Sequence, residues 1–287
     1  MGKAKRRKGE KRAVLTEQTK GISSHFKSSY LFIIFILFIL ISLLFATYKR
    51  NGIWKDDVGL WVNVVRKNIG KARGYNNLGL AYSKQGRFDE AREVYKHALR
   101  LQPDYIEAHN NLGTDYYDQG RLDEAIQEYL TVLRLKPDST EALNNLGLAY
   151  SKQDRFDEAI EVYKNALRLN PNDAVVHNNL GLVYSMQGRL DEAINEYQTV
   201  LRLQPNYPDT HYNLGLAYSK QGRFDEAINE YISVLRLNSS DADAHYNLGN
   251  IYKAKGLKEK AIVEFKIALK LRPGFVPAQK ALESLDR

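Results

Sequence analysis

Two residue types recur at spacings that could carry chemistry. Asparagine occupies Asn77, Asn111, Asn145, Asn179, Asn213 and Asn247, and histidine occupies His109, His177, His211 and His245, in each case at multiples of 34 residues. A carboxamide offers a donor and an acceptor together, the pair that a peptide backbone also presents. A row of them would hold an extended chain without choosing its side chains. Asn is a mediocre helix former, so its return in every unit needs a reason; the alternative to ligand binding is hydrogen bonding within the protein itself. The histidines invite a metal ion. However, equivalent side chains on successive packed helices lie roughly 10 Å apart, whereas zinc ligands sit within about 2.1 Å of their ion. They are therefore read as helix-packing residues, and no metal or cofactor is assigned.

Other catalytic constellations are missing from the sequence. It has no cysteine, hence no thiolate nucleophile or thiolate metal site. It shows no nucleophile elbow, no His-Glu-x-x-His and no phosphate-cradling glycine loop. Asp241-Ala242-Asp243 resembles the Asp-x-Asp of some metal-dependent glycosyltransferases, but as an isolated triplet at a unit boundary it assigns no activity. The expectation is a protein that is not an enzyme.

The elements that must position the asparagines follow from the same period. Gly79, Gly113, Gly147, Gly181, Gly215 and Gly249 stand two residues after them. Each glycine is preceded by Leu and followed at fixed distances by Tyr (Tyr82 in the first unit), Ala (Ala91) and an aromatic residue (Tyr95, and Phe265 in the last). Proline closes most units, at Pro103, Pro137, Pro171, Pro205 and Pro273, with Ser239 in the remaining place. Six units result, 72–105, 106–139, 140–173, 174–207, 208–241 and 242–275. Within most of them a glycine such as Gly86 ends a first helix and an Asp-Glu pair such as Asp89-Glu90 opens a second. Asp154 replaces that glycine in the third unit, which predicts a costlier turn but not a broken one.

This Leu-Gly, Tyr, Ala, aromatic and Pro pattern resembles the tetratricopeptide-repeat (TPR) family. The resemblance implies an all-α fold, a right-handed superhelical solenoid of helix-turn-helix repeats whose first helices line a concave groove for extended peptides. The asparagine row is similar to the ladder in the TPR superhelix of O-linked N-acetylglucosamine transferase. On the same face the pattern places Asn76, Asn110, Asn144, Asn178, Tyr212 and Tyr246. Capture of a chaperone's terminal carboxylate is not expected, because Asn76, Leu80, Glu141 and Asn145 stand where that subfamily carries its clamp residues.

The rest of the chain is organised around this array. Residues 30–48 form an uncharged apolar run of 19 residues bounded by Tyr30 and Tyr48. At the α-helical rise it is about 28 Å long, enough for one transmembrane helix. Residues 1–29 read as a basic, disordered tail, 49–71 as a linker and a degenerate capping half-repeat, and 276–287 as a C-terminal capping helix. The net charge of +8 is local: residues 1–50 hold 11 Lys/Arg against 2 acids, and the remainder 31 against 32. A near-neutral folded part argues against nucleic acid. The nine Lys and Arg of residues 1–29 predict a cytoplasmic N-terminus and an extracytoplasmic (periplasmic or luminal) repeat domain on a single-pass membrane protein.

The expected function is that of a membrane-tethered scaffold or adaptor holding an extended polypeptide. A second reading comes from the span followed by Arg50-Asn51, Trp54 and Leu60-Trp61 ahead of the repeats. That arrangement resembles the tails of TPR-bearing membrane glycosyltransferases and suggests an accessory, substrate-recruiting component of a protein-glycosylation system. A third is a homo-oligomeric scaffold assembled through solenoid edges.

Overall fold

Small residues at fixed places let two helices approach until an aromatic ring fills the gap, and this happens six times in succession. The computed structural model describes residues 57–285, which form fourteen α-helices and, among the described residues, no strand. Helix α1 (Asp57–Lys67) precedes six antiparallel pairs. These are α2 (Ala72–Lys84) with α3 (Phe88–Leu101), α4 (Ile106–Asp118) with α5 (Leu122–Leu135), and α6 (Thr140–Lys152) with α7 (Phe156–Leu169). They continue with α8 (Ala174–Met186) and α9 (Leu190–Leu203), α10 (Pro208–Lys220) and α11 (Phe224–Leu237), and α12 (Ala242–Ala254) and α13 (Lys258–Leu271). Helix α14 (Val276–Glu283) follows and buries Ala278 beside Phe265 and Ala268. The architecture is the all-α helical solenoid read from the sequence. The apolar run 30–48 and the segments around it, Trp54 included, lie outside the described residues. No described helix is long and apolar enough to cross a membrane.

The contact that closes each pair is between glycine and a ring. A Cβ built on Gly147 would lie 2.5 Å from the Tyr163 ring, inside any tolerable contact, whereas at Gly215 the nearest atom of Tyr231 is 3.1 Å away. The rings themselves, from Tyr95 to Phe265, are fully buried. Alanines complete the interface: Ala159 and Ala166 on α7, like their counterparts in the other pairs, are almost wholly buried and let the two backbones close up.

Turns between paired helices are clamped from two sides. The Arg155 guanidinium lies 4.4 Å from the Tyr150 ring centroid and pairs with Glu158 at 2.9 Å, a combination repeated at Arg87, Arg121, Arg189 and Arg223. Where glycine normally supplies the left-handed residue, with φ of 72° at Gly222, Asp154 takes φ 58°. Its turn keeps the same bonds: Asp154 N–H donates to the Ser151 carbonyl at 3.1 Å and Arg155 N–H to that of Tyr150 at 3.0 Å, as Gly222 and Arg223 do to Ser219 and Tyr218. The turn is intact and carries the steric cost of a side chain in that region.

Two outcomes follow for stability. Gly147→Ala will destabilise the fold by roughly 1–3 kcal/mol through overpacking, and Gly215→Ala by clearly less, as read from urea denaturation midpoints. Asp154→Gly will stabilise it by about 1 kcal/mol in the same assay.

Candidate functional site

The first helices of successive pairs touch one another from α2 through α10, while each second helix packs on its own first helix and on the next. The first helices therefore form the tighter, inner layer, and residues on their free face line the candidate groove. That face carries both asparagine columns.

The structure joins the two columns across unit boundaries. Asn111 Nδ2 donates to Asn76 Oδ1 at 3.0 Å, Asn145 to Asn110 at 3.3 Å and Asn179 to Asn144 at 2.9 Å. At the last step Asn247 donates to the Tyr212 hydroxyl at 2.9 Å. Between units four and five the pattern changes: the buried Thr210 hydroxyl donates to Asn178 Oδ1 at 3.1 Å, and among the described residues Asn213 stands outside the chain of bonds. The amides are thus inter-unit staples. Each has two N–H groups and two lone pairs, so Asn111, Asn145 and Asn179 each retain one N–H and a carbonyl oxygen beyond the staple. They are only partly buried. Asn76 departs from the open groove position expected of it: it is 5% exposed, with its side chain engaged by Asn111 and Asn77. Tyr246 is turned toward the terminal cap, its ring centroid 5.1 Å from that of Phe275 and 5.9 Å from that of Phe265.

The four histidines belong to a different device. In each, Nδ1 faces a glutamate on the partner helix: His109 with Glu128 at 2.5 Å, His177 with Glu196 at 2.5 Å, His211 with Glu230 at 2.6 Å and His245 with Glu264 at 2.6 Å. In the first three, Nε2 reaches the carbonyl of Pro103, Pro171 or Pro205. The glutamates are site residues that the sequence reading missed, although a signal was present. Where the histidine position holds Tyr75 or Leu143, the glutamate position holds Val94 or Val162, so the pair changes together within one chain. At His109 and His177 both ring nitrogens face oxygen acceptors, which only the doubly protonated ring can satisfy. The hydrogen bond to glutamate raises both above the ordinary imidazole value, with burial opposing.

A second missed residue is Asp115, which stands where other units carry Ala81, Ala149 or Ala217. It is 2% exposed, takes a hydrogen bond from the Ser83 hydroxyl at 2.6 Å, and leaves its Oδ2 without a partner. Burial pushes its carboxyl up to about 6.

The groove rims differ from unit to unit. Arg73 and Lys84 flank the first unit, Glu107 and Asp118 the second, Glu141 and Lys152 the third, Asp209 and Lys220 the fifth. In the fourth these positions are Val175 and Met186, 55% and 59% exposed.

Both titrating devices act in the same direction. A raised histidine value contributes stability that is complete below the unfolded value near 6.5 and is lost as pH rises through the folded value. Asp115 binds its proton more tightly when folded, so the solenoid also loses stability as pH rises from about 4 to about 6. Urea midpoints will fall from pH 5 to pH 8. His109→Tyr with Glu128→Val will flatten the upper part of that profile, and Asp115→Ala the lower part while adding roughly 1–3 kcal/mol at pH 7.5.

Comparison with known proteins agrees with this fold. Residues 59–281 match the model of the C-terminal TPR domain of cilia and flagella-associated protein 70. The chain is 39% identical over 74 residues to protein O-mannosyl-transferase Tmtc2 of Drosophila melanogaster, covering 24% of this chain and 8% of that protein. It is 31% identical over 86 residues to protein O-mannosyl-transferase F38B6.6 of Caenorhabditis elegans, covering 30% and 12%. The chain thus spans about a tenth of the length of these curated relatives. Among solved structures, it resembles the APC/C hetero-tetramer Cut9-Hcn1 with a TM-score of 0.63 at 24% identity, covering 79% of this chain and 45% of that one. It also resembles YrrB, described as a TPR protein with an unusual peptide-binding site, with a TM-score of 0.57 at 23% identity, covering 67% and 99%. With MamA the TM-score is 0.54 at 31% identity, covering 58% and 97%.

Proposed function

The chain belongs to the tetratricopeptide-repeat family represented by the C-terminal domain of cilia and flagella-associated protein 70, and on that premise we propose that it is a membrane-tethered scaffold that binds an extended polypeptide along the inner face of its solenoid. The observation that carries this reading is the staple itself. Asn111, Asn145 and Asn179 are held by their neighbours in fixed orientation and still offer a donor and an acceptor each. Groups locked before binding lose little freedom on binding, which favours recognition of a backbone. The four histidines at equivalent positions are paired with glutamates of the partner helices, and the chain is read as one that acts by binding rather than by catalysis. The apolar run 30–48 supplies the tether, with the basic residues 1–29 on the cytoplasmic side and the repeats across the membrane.

A second reading is favoured by the segments shared with the two O-mannosyl-transferases. In it the solenoid recruits substrate polypeptides to a membrane glycosylation enzyme. The shared segments are 74 and 86 residues long, a small part of each enzyme, and this reading leaves the transfer chemistry to another protein.

Proximity crosslinking in native membranes tests both. Replacing Asn77, Asn111, Asn145, Asn179, Asn213 and Asn247 by Ala, in a variant shown by circular dichroism to stay helical, will remove most captured polypeptides. Unchanged capture would sink the groove reading. Capture of an enzyme that uses polyprenyl-linked sugars would favour recruitment, and capture of this chain alone would favour self-assembly. A C-terminal reporter active only in the cytoplasm would overturn the orientation.

A further inference from the structure

The geometry points to a ligand of particular composition: an extended segment with an aliphatic residue and a Lys or Arg three positions apart, the aliphatic side chain seated on α8 and the cation beside α10. This rests on the groove reading above and adds a register and a charge to it.

The fourth unit has apolar rims. Val175, Leu182 and Met186 are 55%, 37% and 59% exposed and follow one another along a single face of α8, at intervals of seven and four residues. In the neighbouring units the positions of Val175 and Met186 are charged, as Glu141 and Lys152 on one side and Asp209 and Lys220 on the other. An island of exposed aliphatic surface inside a charged groove costs solubility and stability, and covering it returns that free energy. An aliphatic side chain covers its Val175 end; a charged one placed there would lose its water without gaining a partner.

The next unit supplies the second anchor. Pro208, Asp209, Tyr212, Val234, Asp241 and Asp243 line a cavity of about 300 Å³ between units five and six. Two of its carboxylates are already engaged: Asp241 caps α12 by accepting from the Ala244 N–H at 2.9 Å, and Asp243 pairs with Arg272 at 2.6 Å. Asp209 is exposed. With the Tyr212 ring as a wall, the cavity suits the head of a Lys or Arg, a cation against an aromatic face and a carboxylate. Adjacent first helices lie roughly 10 Å apart, and an extended chain advances about 3.3 Å per residue. Three residues therefore bridge Val175 and Asp209, which stand at equivalent positions on the two helices.

Fluorescence anisotropy with the purified full-length chain in detergent micelles will test this. The probes are labelled peptides Thr-Leu-Ser-Thr-Arg-Thr and its reverse, which cover both chain directions. One of them will bind about tenfold more tightly than versions with Ser for Leu or Glu for Arg. Val175→Glu will abolish the preference for Leu. Asp209→Lys will invert the preference from Arg to Glu, a reversal that a merely structural role would not produce. If all peptides bind alike and the six-alanine variant binds none, the register is wrong and the groove reading stands. If binding ignores the groove variants, or no peptide binds at millimolar concentration, both are overturned.

Discussion

The structure depends on one close approach, the ring of a second-helix aromatic against a first-helix glycine. At Gly147 the Tyr163 ring occupies the space a methyl group would need. That contact fixes how near the two helices of a pair lie, and the buried alanines beside it fix their rotation. Once the spacing is set six times over, the first helices are brought side by side and their free faces merge into one surface. The groove is thus a consequence of packing on the opposite side of the same helices.

Repetition of that contact also explains why the asparagine columns meet. Residues equivalent in successive units are displaced by one helix diameter, and a carboxamide can just reach across to the residue preceding its own equivalent in the previous unit. Three such bonds run from unit one to unit four, and a tyrosine hydroxyl takes the acceptor role at the last step. The break at Thr210 falls beside the apolar face of α8 and the carboxylate of Asp209. The staples are alike from unit one to unit four, and the rims differ from unit to unit.

Most of the fold was legible because it is written six times. A single Gly-x-x-Tyr says little, but its return at each multiple of 34 fixes both helices, their turn and their shared core. The asparagines were legible as a row, and their mutual bonds were not, since these depend on an offset between units that spacing alone leaves undetermined. The histidines were assigned to packing without their glutamates because the two stand on different helices, 19 residues apart. The substitution of Tyr75 with Val94, and of Leu143 with Val162, shows that the information was in the chain. Asp115 was hidden for another reason. In a one-dimensional pattern it looks like any polar residue of a helix, and only the packing of α2 on α4 reveals that water is excluded from it.

In a solenoid whose units touch only their neighbours, stability is nearly a sum over joints, and opening begins at the weakest. The joint between units one and two holds two buried polar atoms without partners, Oδ2 of Asp115 and the hydroxyl of Tyr95. The equivalent position at the next joint, Ala149, buries nothing polar. Yet the same joint carries a staple, from Asn111 to Asn76, and a bond from Ser83 to Asp115. Its helices are therefore held in register by directional bonds while their apolar seal is incomplete, a combination that favours hinging over separation.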